Sequence, residues 1–168
     1  MLALRRTRTL GWVLVIAVGW MLGLSAQAGD PLSGTWKLNL AKSKYSPANL
    51  APKSGTTTFE VSQGGIKTAT DGVDSQGRVT HTEYTATFDG KDYPWKGTIA
   101  GKPNPNQDAV TWKKIDDYTY ELVNKLKGQV LTTQRTVVSR DGKTRTNTVT
   151  GKNAQGQTIN NTTVHEKQ

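Results

Sequence analysis

Cysteine is absent from the chain, and histidine occurs only as His81 and His165. Without cysteine there is no disulfide scaffold, no thiol nucleophile and no Cys-ligated zinc. Two histidines are too few for a multi-histidine metal centre within one chain. Acidic side chains are scarce, 13 Asp+Glu against 22 Lys+Arg. Beyond residue 28 no apolar stripe recurs at i, i+3, i+4, i+7, which argues against amphipathic helices. Nucleophile elbows, phosphate loops and Gly-rich dinucleotide fingerprints are missing, and the Gly-Lys pairs at 90–91, 101–102, 142–143 and 151–152 read as turns. His81 and Glu83 share a face as His-x-Glu, and His165 lies near the C-terminus. A general base or metal ligand is conceivable there, but this face reads as outward, and the histidines read as surface residues. The expectation is therefore a non-enzyme with no catalytic residue, no metal and no cofactor.

The N-terminus does have an apolar run. Arg5, Arg6 and Arg8 precede an uncharged stretch from Leu10 to Leu24, which ends at Ser25-Ala26-Gln27-Ala28. A basic start, a short apolar middle and a small-x-small end are the marks of a secretory signal peptide. The run is shorter than the roughly 20 residues a spanning helix needs. Residues 1–28 are thus expected to be removed on export, by the general secretory or the twin-arginine route, which makes the protein periplasmic or secreted. No cysteine follows the cut to carry a lipid, so no stable membrane anchor is expected after cleavage.

The remainder, 29–168, reads as a single domain with 19 basic and 13 acidic side chains, a net charge of +6. Its lysines are dispersed, and the longest basic run is Lys113-Lys114. Such a pattern suits solvated strand faces better than a nucleic-acid surface. Threonine occurs 23 times beyond residue 28, and a β-branched side chain favours a half-exposed pleated sheet. Turn dipeptides punctuate the chain, among them Gly64-Gly65, Asp71-Gly72, Gln76-Gly77, Asp89-Gly90, Lys127-Gly128, Asp141-Gly142 and Gln155-Gly156. Strands are predicted near 34–40, 56–63, 66–72, 78–88, 95–100, 109–115, 118–127, 129–139, 144–151 and 157–166. The short gaps between them predict an all-β, antiparallel up-and-down barrel of about eight to ten strands, with a sandwich as the other closure. Two proline-containing stretches, 41–55 and 101–108, fall outside central strands.

Alternation assigns faces. Tyr84, Ala86 and Phe88 share one side, with His81, Glu83 and Thr85 opposite. Tyr118, Tyr120, Leu122 and Leu126 share another. The run 129–139 mixes apolar and polar residues on both faces. Trp36 alternates with Leu38 and Leu40 on an amphipathic first strand and reads as a structural core residue. Hydrophobic side chains are 34% of the whole chain and a smaller share once the apolar N-terminal run is set aside. That scarcity suits either a partly polar, wet barrel interior or a small domain of marginal stability.

Ser33-Gly34-Thr35-Trp36-Lys37-Leu38 resembles the Gly-x-Trp first strand of the lipocalin and fatty-acid-binding-protein superfamily. The C-terminal stretch from Thr132 through Asp141-Gly142-Lys143 to Asn161–Lys167 is similar to the last hairpins of fatty-acid-binding proteins. Over nearly all of 29–168, including Ser43-Lys44-Tyr45-Ser46-Pro47 and Phe88-Asp89-Gly90-Lys91-Asp92-Tyr93-Pro94, the chain resembles small exported bacterial proteins without an assigned function. The resemblance implies a lipocalin-like barrel that holds a small molecule. It departs from fatty-acid-binding proteins in two respects. The segment after the first strand is too short and too proline-broken for their helical lid. The positions of their carboxylate-binding Arg and Tyr hold Thr163 and His165, and the resemblance offers Arg135 as the replacement cation.

The expected function is an exported lipocalin-like monomer that binds a small apolar or amphipathic molecule. The alternative is a non-catalytic envelope domain that uses its outer strands on a polymer or another protein. The candidate ligand-binding residues are Tyr45, Tyr84, Phe88, Tyr93, Trp95, Tyr120 and Arg135. Tyr45, Tyr93 and Trp95 stand in or beside turns, where an aromatic ring can meet a ligand.

Overall fold

A computed structural model describes residues 29–168, so the expected signal peptide at 1–28 lies outside the described residues. The fold is all-β: β1 (Gly34–Lys44), β2 (Ser54–Ser62), β3 (Gly65–Val73), β4 (Val79–Thr87), β5 (Asp89–Pro94), β6 (Lys96–Ile99), β7 (Lys102–Pro103), β8 (Ala109–Lys114), β9 (Thr119–Leu126), β10 (Gln129–Val138), β11 (Thr144–Lys152) and β12 (Thr158–Lys167). One three-residue 3-10 turn, Ala48–Leu50, is the only helical element among the described residues. All twelve strands belong to one sheet, ordered β5-β8-β9-β10-β11-β12-β1-β2-β3-β4-β6-β7, and its ladders are antiparallel.

The sheet curls into a barrel, and the chain ties its ends together. β5 and β6 lie near opposite ends of the hydrogen-bonded order, yet only Trp95 separates them in sequence. One continuous segment therefore pairs with β8 through Tyr93↔Val110 and with β4 through Glu83↔Lys96. Between these two ladders β4 and β5 form a seam. There Trp95 lies flat on Gly97, where an added Cβ would stand 2.2 Å from the indole. No backbone ladder bridges that seam, so the two ends are joined by chain continuity rather than by strand pairing.

The strand count exceeds the expected eight to ten. Ten of the twelve strands match the predicted runs, and β5 and β7 are the additions. β5 carries Asp-Gly at its start and Pro at its end, so it reads locally as a turn. Its strand conformation comes from pairing with β8. β7 is a two-residue edge pairing with β6 and contains Pro103, a residue that edges tolerate. A second difference concerns β1. The register with β12 shifts between Asn39 and Lys44, which breaks the alternation and leaves Leu40 exposed rather than beside Trp36.

One end of the barrel is plugged by aromatic side chains. Trp36 and Leu32 are fully buried, and the indole Nε1 donates to the Leu32 carbonyl at 2.8 Å. The loop that delivers Leu32 is pinned by Asp30. Its carboxylate accepts from the Tyr120 hydroxyl at 2.5 Å, the Leu32 amide at 2.9 Å and the Lys114 ammonium at 2.8 Å. Trp36 stands opposite Lys167 of β12 and Thr57 of β2, so it braces both neighbours of the first strand. Phe59 and Phe88 pack against the buried Trp112 with centroids at 6.1 and 6.3 Å, both edge-on, a favoured aromatic geometry.

Replacing Trp36 by alanine is expected to destabilise the protein by about 3–5 kcal/mol, the range for a truncated core aromatic. Urea denaturation is the measurement, and a wild-type midpoint would contradict the bracing role.

Candidate functional site

Hairpin arithmetic sets the inner face of the C-terminal strands. The turn at Asp141-Gly142 is closed by Ser139, whose backbone N–H donates to the Thr144 carbonyl at 2.9 Å. It places Val138 opposite Arg145, and β11 places Arg145 opposite His165. Val138 is buried in the core, so residues directly across from it point inward too. Arg145, 2% exposed, is thereby carried inside the barrel, followed at the next inward position by buried Asn147.

The interior cavity they line measures about 340 Å³. On one wall stand Arg145, Asn147, Gln134 and His165, and across from them are threonines of β2, β3 and β4: Thr57, Thr68, Thr70 and Thr80. Phe59, Tyr84 and Trp112 add aromatic surface. No Asp or Glu lines the cavity, and the ion pairs formed among the described residues use other cations. Arg145 rests instead against π faces, its guanidinium carbon 4.9 Å from the Phe59 centroid and 5.8 Å from that of Trp36. Such contacts offset part of the lost hydration of a cation, on the order of 2 kcal/mol when desolvated. They leave the Arg145 Nε proton without an acceptor.

Three buried side-chain polar atoms make no hydrogen bond of good geometry among the described residues: Arg145 Nε, His165 Nδ1, whose ring lies beside the Arg145 backbone, and Thr68 Oγ1, which lies beside the Tyr84 phenol. All three belong to residues of this one cavity. Buried polar atoms are normally paired, because an unpaired one costs about 1–3 kcal/mol. Burial pushes the Arg145 guanidinium down to about 9 from its usual 12.5, so it remains a cation at neutral pH. Burial, with the Arg145 charge next to it, holds His165 down to about 3, so its imidazole is neutral. Burial pushes the Tyr45 phenol at the cavity's edge up to about 12. The arrangement is a neutral, hydroxyl-rich chamber around a single fixed positive charge.

The expected site residues divide. Tyr45 and Tyr84 line the chamber, and Tyr84 accepts a hydrogen bond from Trp112 Nε1 at 3.2 Å. Phe88 and Tyr120 belong to the plugged end, with ring centroids 5.9 Å apart. Tyr93 sits at the seam, where its hydroxyl donates to Asp89 at 3.0 Å and pairs with Thr87. Trp95 faces an outer cleft of about 710 Å³ beside His81 and Glu83. Arg135 is exposed on the outer face; its strand buries Thr136 and Val138 instead, so the interior cation is Arg145, on the following strand. His81 is a surface residue as expected, bonded to Asp71 at 2.8 Å. His165 is not, because β12 turns it into the chamber. Sequence reasoning passed over Arg145 and Asn147 because Thr144-Arg145-Thr146-Asn147-Thr148 carries no apolar alternation. The detectable signal was the hairpin register that couples Arg145 to Val138.

No known protein-family model matches the chain, and no curated protein matches it.

Two measurements follow from the chamber's charges. Replacing Arg145 by methionine removes a desolvated cation that lacks a carboxylate partner, and is expected to raise stability by about 1–2 kcal/mol in chemical denaturation. A loss instead would make the guanidinium a structural element. For His165 the unfolded chain takes up a proton near pH 6.5, whereas the folded chain resists until about 3. The unfolded state thus binds more protons across this window, and stability falls as pH drops through it. Denaturation midpoints at successive pH values should show a shallower acid loss in His165→Gln than in wild type.

Proposed function

We propose that the protein is an exported, lipocalin-like binding protein that holds one small amphipathic molecule inside the barrel, with the anionic end of the ligand on Arg145. The observation that carries this reading is the buried, carboxylate-free guanidinium opening on a cavity of about 340 Å³. That size falls within the usual range for ligand pockets, about 300–1,000 Å³. A protein gains nothing in stability from an isolated interior charge, and stability sacrificed inside a site is the common signature of binding.

Support also comes from the way the rest of the barrel is built. The aromatic plug at the Trp36 end blocks access from that side. At the other end the chamber shares Pro52 and Thr80 with an open mouth formed by the turns near 49–52, 74–80, 104–106 and 153–157. A ligand entering by the mouth reaches Arg145 at depth, charge first. The seven expected contact residues shrink to Tyr45 and Tyr84, joined by Arg145, His165 and the threonine wall. Export remains the reading of the N-terminal segment 1–28.

Native mass spectrometry of the protein recovered from the envelope or medium of cells that make it is the direct test. One small adduct per chain is expected in wild type and none in Arg145→Met, which stays folded. Identical unliganded spectra for both would remove the binding reading.

A further inference from the structure

Resting on that binding reading, the chamber's chemistry goes further and specifies a ligand class. A molecule that enters a polar-lined cavity displaces water, and it loses affinity unless it reproduces the hydrogen bonds that water made. Eight of the lining residues carry a hydroxyl, namely Ser54, Thr57, Thr68, Thr70, Thr80 and Thr163 with the phenols Tyr45 and Tyr84. Some are already engaged with one another. Thr70 donates to Thr57 at 3.1 Å, and Gln134 donates to Thr136, which donates to the Asn147 carbonyl, both at 3.0 Å. These bonds fix Asn147 with its amide N–H groups, and Gln134 with its carbonyl, still to be satisfied. Thr68 Oγ1 is buried against the Tyr84 phenol, so the hydroxyls that face the chamber are those of its less buried residues, Thr70 among them.

An acyl chain fits this wall badly. Each methylene laid against a threonine hydroxyl removes its water and returns no bond, at about 1–3 kcal/mol for each buried group left unpaired. A chain of hydroxyls fits it well. The mouth continues the pattern, since its rim carries seven amides, including Asn104, Asn106, Asn153, Gln155 and Gln157, each with both a donor and an acceptor. Leu38, Tyr45 and Val149, all partly buried, supply the apolar surface against which the C–H face of a sugar ring can lie. The cation is at the deep end. Its neutral neighbour His165 offers a further ring nitrogen.

We infer that the ligand is a polyhydroxylated carboxylic acid, a sugar acid, whose carboxylate pairs with Arg145 while its hydroxyls bond Thr70, Asn147 and Gln134. At about 30 Å³ per water the chamber equals on the order of ten waters, space for one sugar-acid unit. Further units of an oligosaccharide would extend to the amide rim, so the unit is either a free monosaccharide or the end of a chain. A site built to bond hydroxyls discriminates against analogues that lack them far more strongly than an apolar pocket does.

Isothermal titration calorimetry on the mature protein tests this with four monosaccharide acids (D-glucuronate, D-galacturonate, D-mannuronate and D-gluconate), with trigalacturonate, and with D-glucose, hexanoate and decanoate as comparisons. At least one sugar acid is expected to bind one-to-one and at least tenfold more tightly than glucose, hexanoate or decanoate. Tighter binding of trigalacturonate than of the monosaccharides assigns the chain-end source, and equal or weaker binding assigns the free acid. Arg145→Met should weaken the sugar acid at least tenfold. Thr70→Val, which removes a hydroxyl that faces the chamber and keeps the shape, should weaken the sugar acid about tenfold without weakening hexanoate. If hexanoate or decanoate binds as well as every sugar acid, the ligand class is wrong and the binding reading stands. If none of the acids binds, both fall.

Discussion

An arginine placed inside a protein with no carboxylate beside it sets the terms for the rest of this barrel. Transfer of a charge from water into a low-dielectric interior is among the largest unfavourable steps a fold can include, and it is usually offset by an ion pair. Here Asp74 pairs with Arg78, Asp92 with Lys125 and Glu166 with Lys42 near the surface, and Asp30, the more buried acid, pairs with Lys114 at the plugged end rather than with Arg145. The interior keeps its cation and offers only the faces of Phe59 and Trp36. Those two rings are also what anchors β1 and β2 at the plugged end. The same aromatic cluster therefore holds the strands in place and makes the unpaired charge tolerable.

How much of this was legible in the sequence depends on whether local or tertiary forces decide each feature. The hairpins at Asp141-Gly142 and Gln155-Gly156 were legible, because such turns demand a positive φ that few other residues accept, and Gly142 and Gly156 adopt it at 68° and 78°. Asp71-Gly72, by contrast, reads as a turn but is held extended inside β3 by its ladders to β2 and β4. Trp36 was legible because a large aromatic in an otherwise polar alternation has one face to occupy. β5 was not, since Asp89-Gly90 and Pro94 signal a turn at both its ends and only the ladder to β8 makes the segment extended. The interior cation was misassigned for a related reason. Arg135 and Arg145 both lie in threonine-rich strands whose two faces are almost equally polar, so alternation gives neither of them a side. Register decides it, and register is a property of the hairpin rather than of the strand.

The small apolar content, which by itself admits either a wet interior or a weak core, resolves into a division of labour along the barrel axis. Leu32, Trp36, Ile66, Ala86, Tyr120 and Val138 are buried and gather towards the end closed by the 63–64, 116–118 and 139–143 turns. The other end is lined by Ser54, Gly55, Gly72 and Thr80. Hydrophobic burial is roughly proportional to area, so concentrating the largest side chains in one half lets that half supply most of the stabilisation. The opposite half is then free to be polar without unfolding the sheet, because its strands continue ladders already fixed in register by the plug. A uniformly apolar interior of the same mean composition would be too thin everywhere. Segregated, the same residues give a solid end and a polar, hollow one, and the charge sits where the two meet, held against the rings at the floor of the chamber.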